Sequence, residues 1–324
     1  MSFAGQPLRL RESIEALLVA PNGTLVVQVE DQFVYVYPER NEVRAVRERK
    51  DGEQLLGLAP GQGIVLLERN GELIACAPGN AVKWHRMAFG PDDQFISGRQ
   101  RSPAHAIFAL FGRVRDEPAE LSIPEFRFAR IDPADGSIHT SPAIASRPAF
   151  WGVEDRGEML WYITRSRPST LSSIDLRSGK SGTEVALAGH PDDERVTAAA
   201  IEGGSGMLVW AVANAISPVL DLRVLTLNGS REVTRLRLPE TIEDIQALHW
   251  SGNGQRILLA ASVRGGNGSE VSLLTTSAQR LGEPLNAGTT RIDAILFGWR
   301  DDVFGAAVDN EIVFFNDRPR DYRG

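Results

Sequence analysis

Residues 14–37 read IEALLVAPNGTLVVQVEDQFVYVY, and residues 292–315 read IDAILFGWRDDVFGAAVDNEIVFF. Each segment consists of three apolar runs that are separated by two short polar turns. Asn22-Gly23 forms the first turn of one segment, and Asp301-Asp302 takes the same place in the other. Turn residues of this kind between runs rich in β-branched and aromatic residues indicate antiparallel hairpins. The two segments therefore predict the same three-stranded unit near both ends of the chain.

The same unit recurs along the whole chain. Its mean spacing of about 46 residues is close to the repeat length of propeller blades. We place the starts of the copies near residues 14, 54, 93, 148, 196, 245 and 292. A fourth strand follows several of the third strands, after turns such as Ile131–Gly136 and Ile174–Gly179. An Asp in such a turn caps its own backbone and leaves a left-handed position to Gly, so we expect positive φ at Gly136 and Gly179.

The last unit has no fourth strand of its own, because only a charged tail, residues 316–324, follows its third strand. The N-terminal segment 6–12 alternates apolar and polar residues and belongs to no hairpin. Pairing of this segment with the last unit would close the set of sheets and cover two exposed sheet edges. We therefore predict that Leu8–Arg11 pairs beside Ile312–Phe315.

The repeat resembles that of seven-bladed β-propellers of the WD-repeat or YVTN-like kind, from about Leu8 to Phe315. Residues 245–262 and 292–315 carry the resemblance most closely, although the Gly-His and Trp-Asp dipeptides of WD repeats are absent. The resemblance implies an all-β fold, with residues 1–324 as a single domain of four-stranded antiparallel blades. It also implies that second-to-third turns and blade connections share one face. Large aromatic side chains pack well between such sheets, so we expect the tryptophans to belong to the core.

Composition limits the classes of function. The chain has 324 residues and a formal net charge of −7, and its only cysteine is Cys76. An acidic protein of this kind is not typical of dedicated nucleic-acid binders, so we expect no nucleic acid as a direct ligand. A single cysteine excludes an intramolecular disulfide framework and a cysteine zinc cluster. No signal peptide and no apolar run of about 20 residues is present, which favours a cytoplasmic protein without membrane contact.

The sequence context of each candidate catalytic motif argues against a catalytic role. The stretch His190–Glu194 (HPDDE) resembles the zinc motif of LmbE-like deacetylases, but it lies between two β repeats, and the only later histidine is His249. We interpret it as a polar blade connection. The Gly-rich stretches 203–206 and 265–268 precede no helix and are interpreted as hairpin turns instead of phosphate loops. We predict no catalytic, cofactor-binding or metal-binding residues, and no cofactor.

Arginines are frequent in the second-to-third turns, at residues 69, 113, 115, 165, 167 and 264. Arginine is enriched at interface hot spots because its planar guanidinium binds carboxylates through two hydrogen bonds. Acidic residues in the blade connections 192–194 and 240–244 dilute this positive charge, so a solvated rim of mixed charge remains the alternative. We predict a protein partner on this face, with the binding residues Arg69, Arg113, Arg165, Arg167 and Arg264.

Two functions follow as hypotheses. The first is a non-catalytic interaction scaffold or regulatory subunit of a cytoplasmic, bacterial multi-protein assembly, such as a defence system or a protease- or ATPase-associated system. The second is a metal-assisted hydrolase or lactonase with its site at the channel mouth. That site would use the aspartates Asp221, Asp244, Asp293 and Asp309.

Overall fold

A computed structural model provides the structure of the chain. It describes residues 2–3, 8–20, 22–61, 63–78, 81–87, 89–90, 93–100, 105–113, 125–144, 146–153, 159–164, 169–187, 194–202, 206–214, 220–227, 231–251, 254–265, 268–281, 283–286, 292, 294–297, 303–308 and 310–316. These ranges contain 29 strands in seven sheets and one 3-10 helix, Pro38–Arg40.

Six sheets are formed by four consecutive strands each, paired in chain order. Sheet 1 comprises β3 (Ala16–Val19), β4 (Leu25–Gln28), β5 (Gln32–Tyr37) and β6 (Glu42–Glu48). Sheet 2 comprises β7 (Gln54–Ala59), β8 (Gly63–Leu67), β9 (Glu72–Cys76) and β10 (Val82–Met87). Sheet 3 comprises β11 (Asp93–Arg99), β12 (Ile107–Arg113), β13 (Glu125–Ile131) and β14 (Ile138–Thr140).

The next three sheets repeat this order. Sheet 4 comprises β15 (Pro148–Val153), β16 (Met159–Thr164), β17 (Thr170–Asp175) and β18 (Ser181–Ala186). Sheet 5 comprises β19 (Glu194–Glu202), β20 (Met207–Asn214), β21 (Leu220–Thr226) and β22 (Arg231–Arg237). Sheet 6 comprises β23 (Ile242–Trp250), β24 (Arg256–Val263), β25 (Ser269–Thr275) and β26 (Leu285–Asn286).

Sheet 7 joins the two ends of the chain. Its strands β27 (Ala294–Phe297), β28 (Val303–Val308) and β29 (Glu311–Asn316) pair with the N-terminal strands β1 (Ser2–Phe3) and β2 (Leu8–Arg9). Leu8 lies opposite Ile312, and Ser2 lies opposite Asn316. The predicted pairing of the N-terminal segment with the last unit is confirmed, although β2 ends at Arg9 instead of Arg11, and Ser2–Phe3 pair with β29 as well.

Six four-stranded antiparallel sheets, and a seventh in which the short strands β1 and β2 both pair with β29 as its outer strand, confirm the predicted fold class, a seven-bladed β-propeller. The middle strands are buried on both faces, which explains their continuous apolar runs: all five residues of β8 are buried. The fourth strands are more polar, and in β10 only Trp84 is buried. This gradient follows from position, since an edge strand has one side without a neighbouring strand.

By contacts the chain divides into two compact units. Unit 1 consists of residues 1–13, 149–173 and 182–324, and unit 2 consists of residues 14–148 and 174–181. Unit 2 contains sheets 1 to 3, and unit 1 contains sheets 5 to 7 with most of sheet 4. The assignment of residues 1–324 to a single domain stays a prediction.

Within each unit, the core lies between consecutive sheets. In unit 2, one cluster joins sheets 1 and 2 through Phe33, Tyr35, Ile64, Leu66 and Ile74. A second cluster joins sheets 2 and 3 through Leu73, Trp84, Ile107, Phe111 and Ile131. Burial, with Tyr37 and Cys76 nearby, raises the pKa of Tyr35 to about 12, so this phenol stays neutral in the core.

Tryptophans are core residues, as predicted, in the part of the chain that the structure describes. Trp84, Trp151, Trp161, Trp210 and Trp250 are all buried, and Trp299 lies outside the described residues. The indole of Trp84 donates to the Pro133 carbonyl at 3.2 Å, and that of Trp250 donates to the Ala200 carbonyl at 2.9 Å. Each of these bonds ties one sheet to its neighbour.

The two Asp-Gly turns have the predicted conformation. Gly136 has a φ of 74° and Gly179 a φ of 71°. In the second turn the Asp175 carboxylate accepts hydrogen bonds from the backbone of Arg177 and Ser178, at 2.8 and 2.9 Å. These bonds hold the pKa of Asp175 below its ordinary value, because they favour the charged carboxylate.

Candidate interaction surface

The ends of sheets 1 to 3 form a continuous surface in unit 2. We call it the turn surface. It consists of two second-to-third turns, two sheet-to-sheet connections and one ion pair, at residues 29–32, 49–53, 68–71, 89–90, Asp93 and Arg113.

Direct contacts join these segments. The Arg49 amide donates to the Asp31 carbonyl at 2.7 Å, which places the connection after sheet 1 against the turn of that sheet. A Cβ at Gly52 would lie 2.8 Å from Cβ of Arg69, and a Cβ at Gly71 would lie 2.7 Å from the Phe89 carbonyl oxygen. The segments therefore pack side by side.

Arg49 anchors the turn of sheet 1. Its Nη1 donates to Glu15 Oε2 at 2.6 Å and to the carbonyls of Val29 and Glu30 at 3.3 and 3.2 Å. Its Nε donates to the Glu53 carbonyl at 2.7 Å. One guanidinium thus holds carbonyls that would otherwise be left to water, and it fixes the connection to the turn.

Glu53 anchors the connection 49–53 on its buried side, since only 1% of the residue is exposed. A buried carboxylate is costly unless it is paired and hydrogen-bonded. Here the Arg47 guanidinium pairs with Oε1, and the Lys50 amide donates to Oε2 at 2.8 Å. Arg47 also donates to Sγ of the buried Cys76 at 3.1 Å, so the network links sheet 1 to sheet 2.

Beside Arg49 and Glu53, the charged groups of Lys50, Asp51 and Arg69 lie in solvent. The side chains of Asp51 and Arg69 are 94% and 81% exposed and form an ion pair at 3.3 Å. Lys50 pairs with Glu68 at 3.4 Å. Exposed pairs of this kind contribute about 0–1 kcal/mol, so a partner can replace them at little cost.

Arg113 differs from Arg69 because it is less exposed and pairs with a carboxylate that is itself largely buried. Its Nε donates to Asp93 Oδ1 at 3.0 Å, and Asp93 also accepts the Gly90 amide at 3.0 Å. Beneath this pair the rings of Phe89 and Phe111 stack with centroids 3.4 Å apart. Arg113 therefore orders the connection after sheet 2.

The predicted binding arginines fall into three groups. Arg69 and Arg113 both belong to the turn surface. Arg264 is exposed in unit 1, in the turn after β24, where its amide donates to the Thr241 carbonyl at 2.7 Å. Arg165 and Arg167 lie outside the described residues. Their role in binding stays a prediction for all five.

The turn surface carries both signs of charge. Exposed acids at Glu30, Asp31 and Asp51 stand beside Lys50 and Arg69. Mixed charge of this kind was the alternative drawn from the sequence, but here two of the three acids, Glu30 and Asp31, lie in a second-to-third turn and only Asp51 lies in a connection. Sequence reasoning missed the connection 49–53, although its dense run of charges around Gly52 was a visible signal.

Some of the residues considered for metal chemistry pair with other side chains, and others lie outside the described ranges. His85 Nε2 lies 2.8 Å from Glu72 Oε2, and hydrogen bonds from the Asn70 and His85 side chains hold the pKa of Glu72 below its ordinary value. Asp221 pairs with Arg235. Asp293, Asp309 and residues 190–193 lie outside the described ranges. Within those ranges, no group of three or more His, Cys, Asp or Glu side chains is arranged to hold a metal ion.

Comparison with known proteins identifies the fold and no family. No protein-family model matches the chain, and no curated protein matches its sequence. A chain from the crystal structure of the mitotic checkpoint complex is similar in structure, with a TM-score of 0.63 and 13% identity, over 96% of this chain and 93% of that chain. The β-propeller domain of Cps50 (Swd1) from Myceliophteria thermophila has a TM-score of 0.65 and 12% identity, over 96% of this chain and 99% of that chain. In the described part, no helix is long and apolar enough to cross a membrane.

Proposed function

We propose that the protein is a non-catalytic interaction scaffold that presents the turn surface to a protein partner. The observation that supports this proposal is that some charged side chains of the turn surface hold its backbone in place, whereas others can contact a partner from solvent. Arg49 and Glu53 hold the backbone of the connection, while Lys50, Asp51 and Arg69 extend into solvent.

A surface of this kind suits recognition for an energetic reason. Binding costs less conformational entropy when the loops that make contact are already ordered. Variable loops on a rigid β-sheet frame are common sites of recognition. Lys50 and Arg69 would pair with carboxylates of the partner, and Asp51 would pair with a cation, so the partner would carry both signs of charge.

The wider setting also belongs to this proposal. By its title, one of the similar structures is that of a multi-protein complex, which accords with a role in assembly. That likeness extends to the fold alone, at 13% identity. A cytoplasmic location and a bacterial assembly with a defence, protease or ATPase role stay predictions. Contributions of Arg113, Arg165, Arg167 and Arg264 to binding are likewise predictions.

Affinity capture with paired variants tests the proposal. Native protein and the double variant Lys50→Glu/Arg69→Glu are used to capture partners from a lysate of the source organism. The control variant is Arg177→Glu/Lys180→Glu, which makes the same change of charge at an exposed turn between β17 and β18. We expect the turn-surface variant to lose a stoichiometric partner that native protein and control retain.

The melting temperature of each variant shows whether the fold is intact. Surface substitutions change stability by about 0.5 kcal/mol or less, so both variants should melt close to the native protein. Equal capture of the same partner by all three proteins would exclude the turn surface as its docking site.

A further inference from the structure

Strand β10, the outer strand of sheet 2, is an exposed edge with an unusual composition. Its residues read VKWHRM, and β9 is its one neighbour in the sheet. Val82 is 60% exposed and Met87 is 66% exposed. Among the described residues, the next most exposed large hydrophobic residue is Val43, at 41%. In the part of the chain that the structure describes, the two most exposed large hydrophobic residues therefore lie at the two ends of one edge strand.

Proteins protect edge strands from unwanted pairing with charges and bulges. Strand β10 has both, since its register against β9 shifts between Val82 and Trp84, and Lys83, His85 and Arg86 lie between its apolar ends. Protection alone would account for the cations, but it does not account for Val82 and Met87. Apolar residues at both ends would instead favour association.

The backbone of β10 is already ordered for pairing. The buried indole of Trp84 donates to the Pro133 carbonyl at 3.2 Å, and Lys83 Nζ donates to the Pro60 carbonyl at 2.6 Å. His85 is held by Glu72. An incoming strand would therefore meet a preformed template, as in other cases of β-strand addition.

Charge decides between a second copy of this chain and a different partner. In an antiparallel pair of two β10 strands, with Val82 opposite Met87, each Lys83 would lie opposite an Arg86. Like charges directly opposite each other destabilise a strand pair, and this arrangement has two such positions. A strand with carboxylates there would gain two favourable pairs instead.

Nearby carboxylates compensate only part of this charge. Glu72 bonds with His85. Asp135 accepts the Ser137 amide at 2.8 Å, and hydrogen bonds from Ser137, together with the nearby charge of Arg86, hold the pKa of Asp135 below its ordinary value. Within the described residues, no carboxylate oxygen lies within 4.0 Å of Lys83 Nζ. Strand β6, the outer strand of sheet 1, differs because it carries glutamates as well as arginines.

We propose that β10 is a docking edge for an extended segment of a protein partner, with the pattern apolar–acidic–x–x–acidic–apolar. The acidic positions would lie opposite Arg86 and Lys83, and the apolar positions opposite Met87 and Val82. This inference rests on the proposed scaffold role, but it uses a surface other than the turn surface, so the two can fail separately.

A peptide titration with a charge swap tests the docking edge. The probe is a fluorescein-labelled peptide with the core Ile-Glu-Thr-Val-Glu-Ile between serines, and the reversed probe has lysine at both glutamate positions. Fluorescence anisotropy measures the Kd of each probe with the full chain. The proteins are native, Lys83→Glu/Arg86→Glu, and Arg177→Glu/Lys180→Glu as the control, which makes the same charge change at the exposed turn between β17 and β18, outside both proposed surfaces.

The acidic probe should bind the native protein and the control with equal Kd values, and it should bind the β10 variant about tenfold or more weakly, because two attractive pairs become repulsive. The β10 variant should prefer the reversed probe. If that variant fails to fold, the native protein must still prefer the acidic probe over the reversed one.

Three results would overturn the proposal. They are no binding of the acidic probe to the native protein, equal binding of both probes, or equal weakening in the β10 variant and the control. Formation of a dimer by the native protein that Val82→Glu/Met87→Glu disrupts would assign the edge to a second copy of the chain, because these two positions would lie opposite each other. A failed probe titration leaves the capture experiment on the turn surface unaffected, so the two ideas remain distinguishable.

Discussion

Substitution of Glu53 should strongly lower the free energy of unfolding, because this buried carboxylate pairs with Arg47 at the junction of sheets 1 and 2. In Glu53→Leu the Arg47 guanidinium, with 12% of its side chain exposed, loses its carboxylate partner. Removing one member of a buried ion pair costs about 3–5 kcal/mol. We expect a value near the lower end, about 3 kcal/mol, because water reaches part of Arg47. The Lys50 amide also loses its acceptor on Oε2.

A double-mutant cycle separates the ion pair from packing. Arg47→Met alone leaves a carboxylate that is almost wholly buried, so it should cost at least as much as Glu53→Leu. The double variant Arg47→Met/Glu53→Leu removes both charges and keeps apolar volume. It should therefore be less destabilised than either single variant, with a coupling energy of about 2 kcal/mol or more.

Urea unfolding followed by tryptophan fluorescence gives these free energies, because the described tryptophans are buried in the folded chain. Asp51→Asn is the matched control, since this side chain lies two residues away and is 94% exposed. It should change the free energy of unfolding by less than about 0.5 kcal/mol. Single variants that cost less than about 1 kcal/mol, or a double variant whose cost equals the sum of both, would refute the reasoning.

Two further predictions concern the turns and the N-terminus. Gly136→Ala should cost about 2–4 kcal/mol, because φ is positive and the new Cβ would lie 2.7 Å from the Trp84 ring, whereas Gly265→Ala has open space and should cost about 1 kcal/mol. Equal destabilisation of the two in urea unfolding would contradict the contact with Trp84. Deletion of residues 1–12 should lower the melting temperature and promote aggregation, because it exposes the edge of β29 and removes the buried Leu8 and Leu10. An unchanged melting temperature without aggregation would show that the N-terminal strands are dispensable.

Much of the fold could be predicted because its signals are local. Alternating and continuous apolar runs indicate strands, and Asn, Asp and Gly between them indicate turns, whatever the rest of the chain does. The Asp132–Gly136 turn was predictable down to the sign of φ at its glycine, because only the turn itself determines that conformation. The N-terminal strand was predictable by elimination, since one strand was left over and one sheet lacked a strand.

The candidate sites were predictable only in part, because neighbours that are distant in the sequence decide them. Arg69 and Arg113 occupy equivalent turns in the sequence, yet the first is exposed and the second is held by Asp93. Nothing local distinguishes them, because Asp93 comes from a strand 20 residues away. The exposed ends of β10 were missed for a similar reason, as its apolar residues resemble those of a buried strand.

In the run Glu48–Glu53, some features follow from the sequence alone and others depend on the tertiary structure. By itself the sequence determined that this run is a charged connection between two strands, since it lacks an apolar period and contains Gly52. Only the tertiary structure decided that Glu53 is buried against Arg47 while Asp51 lies in solvent. The physical reason is that strand and turn propensities depend on adjacent residues, whereas the burial of a charge depends on whether a distant strand supplies its counter-ion.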